Sequence, residues 1–235
     1  MKFIINADDF GISHKVNKAI YNSAKEGYIS SGTLMAVAPY IEEAIEMTKE
    51  FEEMSFGIHL VFDSDFSSLS GVPENFSSNG VVNIKGLNFT KRDILVDEFS
   101  KQIEKLQNLG LRISHIDTHH HIHLYPLVLS AVLQVAKKYN IKKIRSQKLL
   151  IKKSLVHDTY RYLHHQFTKS RGFMQPTAYT DFPTLIELGI DHLDEEGIYE
   201  IMCHPGSRYN DEAYFNDAFY GMHRDKLINF NQLNS

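Results

Sequence analysis

Five histidines and a carboxylate crowd the run HIDTHHHIH, residues 115 to 123, of a 235-residue chain that holds thirteen histidines in all. Neutral imidazole is the commonest metal ligand, so a metal site is sought here first. Two smaller signals agree with it, the pair Asp8-Asp9 in NADDFG and His204 in MCHPG. Adjacent carboxylates permit a division of labour, one binding a hard cation while the other takes a proton from the water that the cation activates. Each feature alone has a plainer account. An isolated Asp pair more often caps a helix or sits in a turn, and His59, which interrupts the apolar GIHLVF, would alone be a core histidine bonded to a carbonyl. The five histidines cannot all be ligands. Strand alternation puts His115, Asp117, His119, His121 and His123 on one face and His120 on the other, at least as far as the strand runs. Asp117 is expected behind an imidazole, fixing which nitrogen faces the metal.

These residues need a scaffold, and the hydrophobic periodicities supply one. Lys2 to Ala7 reads as a strand, Ser13 caps a helix that Gly27 stops, and the alternation repeats: Gly32 to Ala38 then Ile41 to Phe51; Ser55 to Phe62 then, after a long loop, Thr90 to Leu109. It continues with Ser114 to His119 then Leu127 to Tyr139, and with Lys143 to Gln147 then a helix over Asp158 to Thr168. Ala178 to Phe182, a helix-like Thr184 to Leu188, the strand Gly197 to Cys203 and a closing helix near Arg224 to Phe230 complete the chain. Strands alternating with helices imply α/β architecture: a distorted TIM-like (β/α) barrel of about seven parallel strands in one domain over 1–235, with an open doubly wound sheet as the alternative. In such folds function collects at the carboxyl ends of the strands. Asp8, Asp9, His59, the run from His119, Arg145 and His204 all fall at that rim, which scattered core residues would not do.

Composition bounds the function. A net charge of −4 and a pI near 6.3 argue against a nucleic-acid partner. One cysteine, Cys203, allows no internal disulfide, and no apolar run approaches a membrane span, so a cytoplasmic protein is expected. The Ser-, Gly- and Asn-rich loop Asp63 to Phe89 is expected either to overhang the rim or to serve as a mobile connector. Phe62, Tyr125, Phe182, Tyr209 and Tyr214 lie near rim motifs where aromatic rings could stack on a bound ligand, although core packing is the better account for most. Apolarity alone suggests a homodimer contact at Tyr199 to Met202 and Tyr214 to Tyr220.

Taken together, NADDFG at 6 to 11, GIHL at 57 to 60, HIDTHHHIHLYP at 115 to 126 and MCHPG at 202 to 206 resemble the YdjC-type carbohydrate deacetylases, which include the chitooligosaccharide deacetylases. The resemblance spans most of the chain. It implies a metal-dependent hydrolase, with one divalent ion, magnesium or zinc, that removes acetyl groups from small N-acetylated carbohydrates. By that similarity Asp8 is the base, Asp9, His59 and His119 hold the metal with His123 as an alternative ligand, His204 is the general acid, and Arg145 orients the base; Asp8 and Asp9 could exchange roles. Two rivals stand beside it: a metal-dependent phosphoesterase on a similar barrel, which usually needs two or three metals, and a non-catalytic sugar-binding barrel.

Overall fold

Central strands of a parallel sheet are covered on both faces and so read as unbroken apolar runs. Lys2–Phe10 (β1) is such a run, buried from Phe3 to Asp8. The computed structural model describes residues 1–62, 69–70, 77–78, 81–82, 92–191, 193–209, 211–215 and 223–233. After β1 come α1 (His14–Lys25), β2 (Ser31–Leu34), α2 (Ile41–Thr48), β3 (Ser55–Leu60), a two-stranded antiparallel ribbon of β4 (Ser77–Ser78) and β5 (Val81–Val82), and α3 (Arg92–Asn108). The second half adds β6 (Ile116–Thr118), α4 (Pro126–Lys138), α5 (Leu155–Ser170), β7 (Ala178–Asp181), α6 (Phe182–Leu188) and β8 (Ile198–Cys203). Local chemistry sets the boundaries. Ser13 Oγ accepts from the Val16 N–H at 3.2 Å and caps α1, and Leu95, Phe99, Ile103 and Leu106 give α3 one buried face.

Six strands pair in parallel in the order β6-β3-β2-β1-β8-β7. The expected seventh strand, Lys143 to Gln147, is reduced to single bridges, Ile116 with Ile144 and, further along the same segment, Leu149 with Tyr179. Those bridges reach both sheet edges, so the sheet curls into a distorted TIM-like barrel with one irregular stave. The reason is local: the Arg145 carbonyl that a ladder would use accepts instead from the side-chain amides of Gln147 and Gln175, at 3.1 and 3.3 Å.

The amino end of the barrel is closed by the C-terminal segment, where Ile228, Phe230 and Leu233 pack on Ile4. Phe230 stacks on His115 with ring centroids 3.6 Å apart and planes 11° apart. Gly57 makes room for that pair, since a Cβ there would meet the His115 ring at 2.6 Å. The expected helix over Arg224 to Phe230 is therefore corrected to two short 3-10 turns, Arg224–Lys226 and Phe230–Gln232. Between them, Ile228 gives its N–H to Phe3 O and its carbonyl to Ser30 Oγ, groups a helix would need for itself. Phe230→Leu, which keeps an apolar plug but loses the stacked ring, should lower stability by about 1.5 kcal/mol in denaturant unfolding. An unchanged midpoint would deny the plug its role.

The expected dimer contact is corrected in part: Tyr199 to Met202 is an interior stretch of β8, Tyr199 being 4% exposed. Residues 216 to 220 of the other stretch, most of the loop Asp63 to Phe89, and His192 lie outside the described residues. Exposed apolar side chains collect instead on α5, notably Leu155, Val156, Leu163 and Phe167. Among the described residues no helix is long and apolar enough to cross a membrane.

Candidate active site

Plain alternation along β1 would send Asp8 into the barrel and Asp9 away from it. Asp9 instead adopts φ 64, in the left-handed region, and the pairing of β1 with β2 shifts register between Ala7 and Phe10. A non-glycine residue in that conformation is uncommon and marks functional sites. The kink brings both carboxylates to the same mouth.

Asp9 Oδ1 lies 3.0 Å from His119 Nδ1 and 3.3 Å from His59 Nε2. The other nitrogen of His59 meets Asp117 Oδ1 at 2.7 Å, and Thr33 Oγ1 donates to Asp117 Oδ2 at 3.1 Å. Asp117 thus stands behind His59 and turns Nε2 toward Asp9. One potential ligand atom from each of Asp9, His59 and His119 lies within 4.8 Å of the others. Two imidazole nitrogens and a carboxylate oxygen, open toward the cleft, fit one divalent cation with positions left for water and substrate. The electrostatics agree. Burial works against charge on His59, yet Asp117, Asp8 and Asp9 lift it well above its ordinary value; burial pushes Asp9 up, yet His119 and His59 hold it well below the carboxylate range. The surroundings favour positive charge at the point where these three side chains meet.

Beyond Thr118 the strand ends, and with it the alternation. His119–Leu124 forms a 3-10 segment whose His120 and His121 have φ 52 and 53. His121 packs against Tyr179, with centroids 5.1 Å apart. His123, the alternative ligand, is buried with Nδ1 2.6 Å from Thr118 Oγ1 and belongs to neither histidine-carboxylate cluster found among the described residues. His115 sits deeper, 3.2 Å from Asn6 Oδ1.

Arg145, fully buried, grips Asp8 with two bonds, Nη1 to Oδ2 at 2.8 Å and Nη2 to Oδ1 at 2.6 Å. It also reaches Asp117 Oδ2 at 2.8 Å and Glu200 Oε1 at 2.7 Å. Burial raises the Asp8 carboxyl, but the guanidinium holds it well below the usual range. Burial likewise pushes Glu200 up to about 7 against the pull of Arg145, helped by Asp117 and Asp8. Asp8, His59 and Asp117 form a second cluster of potential ligands, fully buried. Arg145 already bonds two of its three members, so its positive charge stands where a second cation would.

On the opposite wall, His204 Nε2 lies 4.0 Å from Asp8 Oδ2, and its Nδ1 lies 3.4 Å from Asp211 Oδ2, which also accepts from the His204 backbone N–H at 2.6 Å. Burial opposes charge on this imidazole, but Asp211, Asp8 and Asp9 raise its pKa above the ordinary value. These groups border a cleft of about 420 Å³, within the usual range for small-ligand sites. Of the rim aromatics, Tyr209 lines it, 57% exposed and 5.3 Å from the His204 ring. Phe62 and Phe182 are buried against Phe99 and Phe215, so for them the packing account holds. Sequence reasoning missed Glu200 and Asp211. Glu200 had a signal, a charge inside the apolar IYEIMC in register with His204; Asp211, seven residues past His204, had none.

The sequence profile described as YdjC-like protein matches residues 2–227. A carbohydrate deacetylase of Clostridium beijerinckii is 33% identical over 239 residues, covering 97% of this chain and 90% of its own. One of Geobacillus stearothermophilus is 32% identical over 215 residues, covering 86% and 78%. Among solved structures, a protein of Enterococcus faecalis V583 provisionally named for cellobiose-phosphate cleavage superposes with a TM-score of 0.76 at 23% identity, over 100% of this chain and 99% of the other. The catalytic domain of a peptidoglycan N-acetylglucosamine deacetylase from Eubacterium rectale gives 0.51 at 9% identity, over 99% and 90%. At those identities the two structures speak to fold alone.

Proposed function

The chain belongs to the YdjC-like protein family, and from that premise we propose that it is a carbohydrate deacetylase, one domain that removes acetyl groups from N-acetylated sugars of chito-oligosaccharide or diacetylchitobiose type in the cytoplasm. The observation that carries this reading is Asp8, clamped by Arg145 on one side and facing His204 across the cleft, directly beside the Asp9-His59-His119 cluster. Asp9, His59 and His119 would hold one divalent ion, magnesium or zinc, and the chemistry it supplies when bound is polarisation of the acetyl carbonyl and acidification of water.

The chain's own residues do the rest. Asp8 Oδ1 accepts from both Arg145 and Asn6 Nδ2, the latter at 2.8 Å, whereas Oδ2, the oxygen nearer His204, accepts among the described residues only from Arg145 Nη1 and keeps a lone pair to receive a proton from the attacking water. Arg145 keeps Asp8 ionised and fixes its plane, so no reorientation is needed at the moment of attack. His204 presents Nε2 to the cleft while Asp211 holds its Nδ1, and the protonated ring donates to the departing sugar nitrogen, which leaves poorly as an anion. Tyr209 offers an exposed ring to a sugar face.

This reading fixes a pH dependence. A general acid must be protonated, so activity falls as pH rises through the His204 pKa. Asp211 raises that pKa, so Asp211→Asn should move the alkaline limb of kcat/KM to lower pH. A limb that stays in place would separate His204 from the acid step.

The deciding experiment measures acetate released from N-acetylglucosamine oligomers of increasing length, with and without a chelator. Release that the chelator abolishes and added magnesium or zinc restores is expected. Hydrolysis of a generic phosphate ester without acetate release would overturn the reading in favour of a phosphoesterase.

A further inference from the structure

A second cavity, of about 320 Å³, opens between the segment that follows Arg145, the helix α5 and the starts of β7 and β8. Lys148, Lys152 and Arg161 line it, with Asp158 in the same wall. Three cations against one carboxylate leave a charge of about +2 at neutral pH.

Arg161 is the informative member. It is only 9% exposed, and its hydrogen bonds go to neutral acceptors: Nε to His157 Nε2 at 3.1 Å, Nη1 to Gln147 O at 3.2 Å and to the Tyr179 hydroxyl at 3.1 Å. Asp158, one turn earlier on α5, lies 3.7 Å from His157 Nδ1 instead. Arg145 makes the contrast, since at similar depth it is paired with three carboxylates. Among the described residues no carboxylate pairs with Arg161; a buried guanidinium without an anion is a costly arrangement, and Arg161 bears that cost at the wall of a cavity that also carries two lysines. Apolar side chains, Leu150 and Ala178 among them, line the same space and would strengthen any charge interaction made inside it.

We propose that this cavity binds a phosphate dianion, either free or carried on a small sugar. Arg161 offers its planar fork and the lysines offer mobile point charges, the combination that suits a tetrahedral oxyanion. The cavity is separate from the catalytic cleft, and Tyr179 stands between the two, its hydroxyl on Arg161 and its ring against His121.

Isothermal titration of the full metal-loaded chain tests it, with inorganic phosphate in one arm and glucose 6-phosphate in the other. The parent should show one saturable site for at least one of them, and Lys148→Ala with Lys152→Ala should weaken that site about tenfold or more. The double variant leaves every Arg161 hydrogen bond in place. Arg161→Gln, checked for folding by thermal unfolding, should weaken it further. Equal binding of both ligands identifies a site for the free ion, and tighter binding of the sugar phosphate identifies its carrier. No binding by either up to about 10 mM, unchanged binding in both variants, or equally tight binding of acetate would overturn the proposal.

Discussion

Asp8→Asn is expected to lower kcat by about a thousandfold or more while the protein retains its metal. General-base catalysis contributes roughly 10²–10⁴ in rate, and the amide that replaces the carboxylate cannot accept the proton. The cation site should survive because Asp9, not Asp8, lies between His59 and His119. His59→Ala with His119→Ala should do the reverse, emptying the site by elemental analysis and losing turnover with it. The comparison of the two variants carries the information. If Asp8→Asn lost the metal as fully as the histidine variant, the two aspartates would have to exchange roles; if it kept full activity, the base assignment would fall. Folding needs a control, since the asparagine amide would set its own N–H groups against Arg145 or Asn6, a mismatch worth about 1–3 kcal/mol.

Much of this site is legible in the amino-acid sequence, for a physical reason. A parallel barrel sends strand ends to one rim, so hydrophobic periodicity alone gathers Asp8, Asp9, His59, His119 and His204 without any distance being known. Strand alternation also places Asp117 inside, where it meets His59. What periodicity cannot show is where alternation stops. The left-handed turns at Asp9, His120 and His121 are tertiary outcomes, and they decide that Asp9 turns toward the histidines while His123 turns away. Nor can it show backbone groups being claimed from elsewhere, which dissolves the strand at Lys143 to Gln147 and the helix near Arg224. The early start of α5 is hidden for the opposite reason: Leu155 and Val156 are apolar but exposed, and Ser154 Oγ, accepting from the His157 N–H, sets the boundary. Asp211 carries no pattern of its own, so its importance emerges only from what it touches, and Glu200, though marked by its place in an apolar strand, reveals its partner only in the fold.

Arg145→Met should be the most destabilising substitution in the interior of the barrel. It removes the one positive charge that Asp8, Asp117 and Glu200 share, and removing one partner from a buried ionic cluster costs about 3–5 kcal/mol because the others stay buried and uncompensated. For a chain of this size that is a fall of roughly 10 °C in Tm. The sign of the pH dependence follows from the same charges. In the parent the Asp8 carboxyl is depressed, so its contribution is present at neutral pH and is lost only as pH falls through that low value; Glu200, raised to about 7, contributes below its unfolded pKa and loses that contribution as pH rises through about 7. Without the guanidinium, the carboxyl of Asp8 rises as well and takes up a proton on folding. The variant should therefore recover stability as pH is lowered from 8 toward 5.5, and the gap to the parent should narrow. Thermal unfolding of both proteins at the two pH values reads this directly. A gap that widens on acidification, or a Tm at pH 8 within about 2 °C of the parent, would mean that the three carboxylates are neutralised by something other than Arg145. Turnover should fall at least about a hundredfold at either pH, because an Asp8 that shares a proton with its neighbours is no longer a ready base.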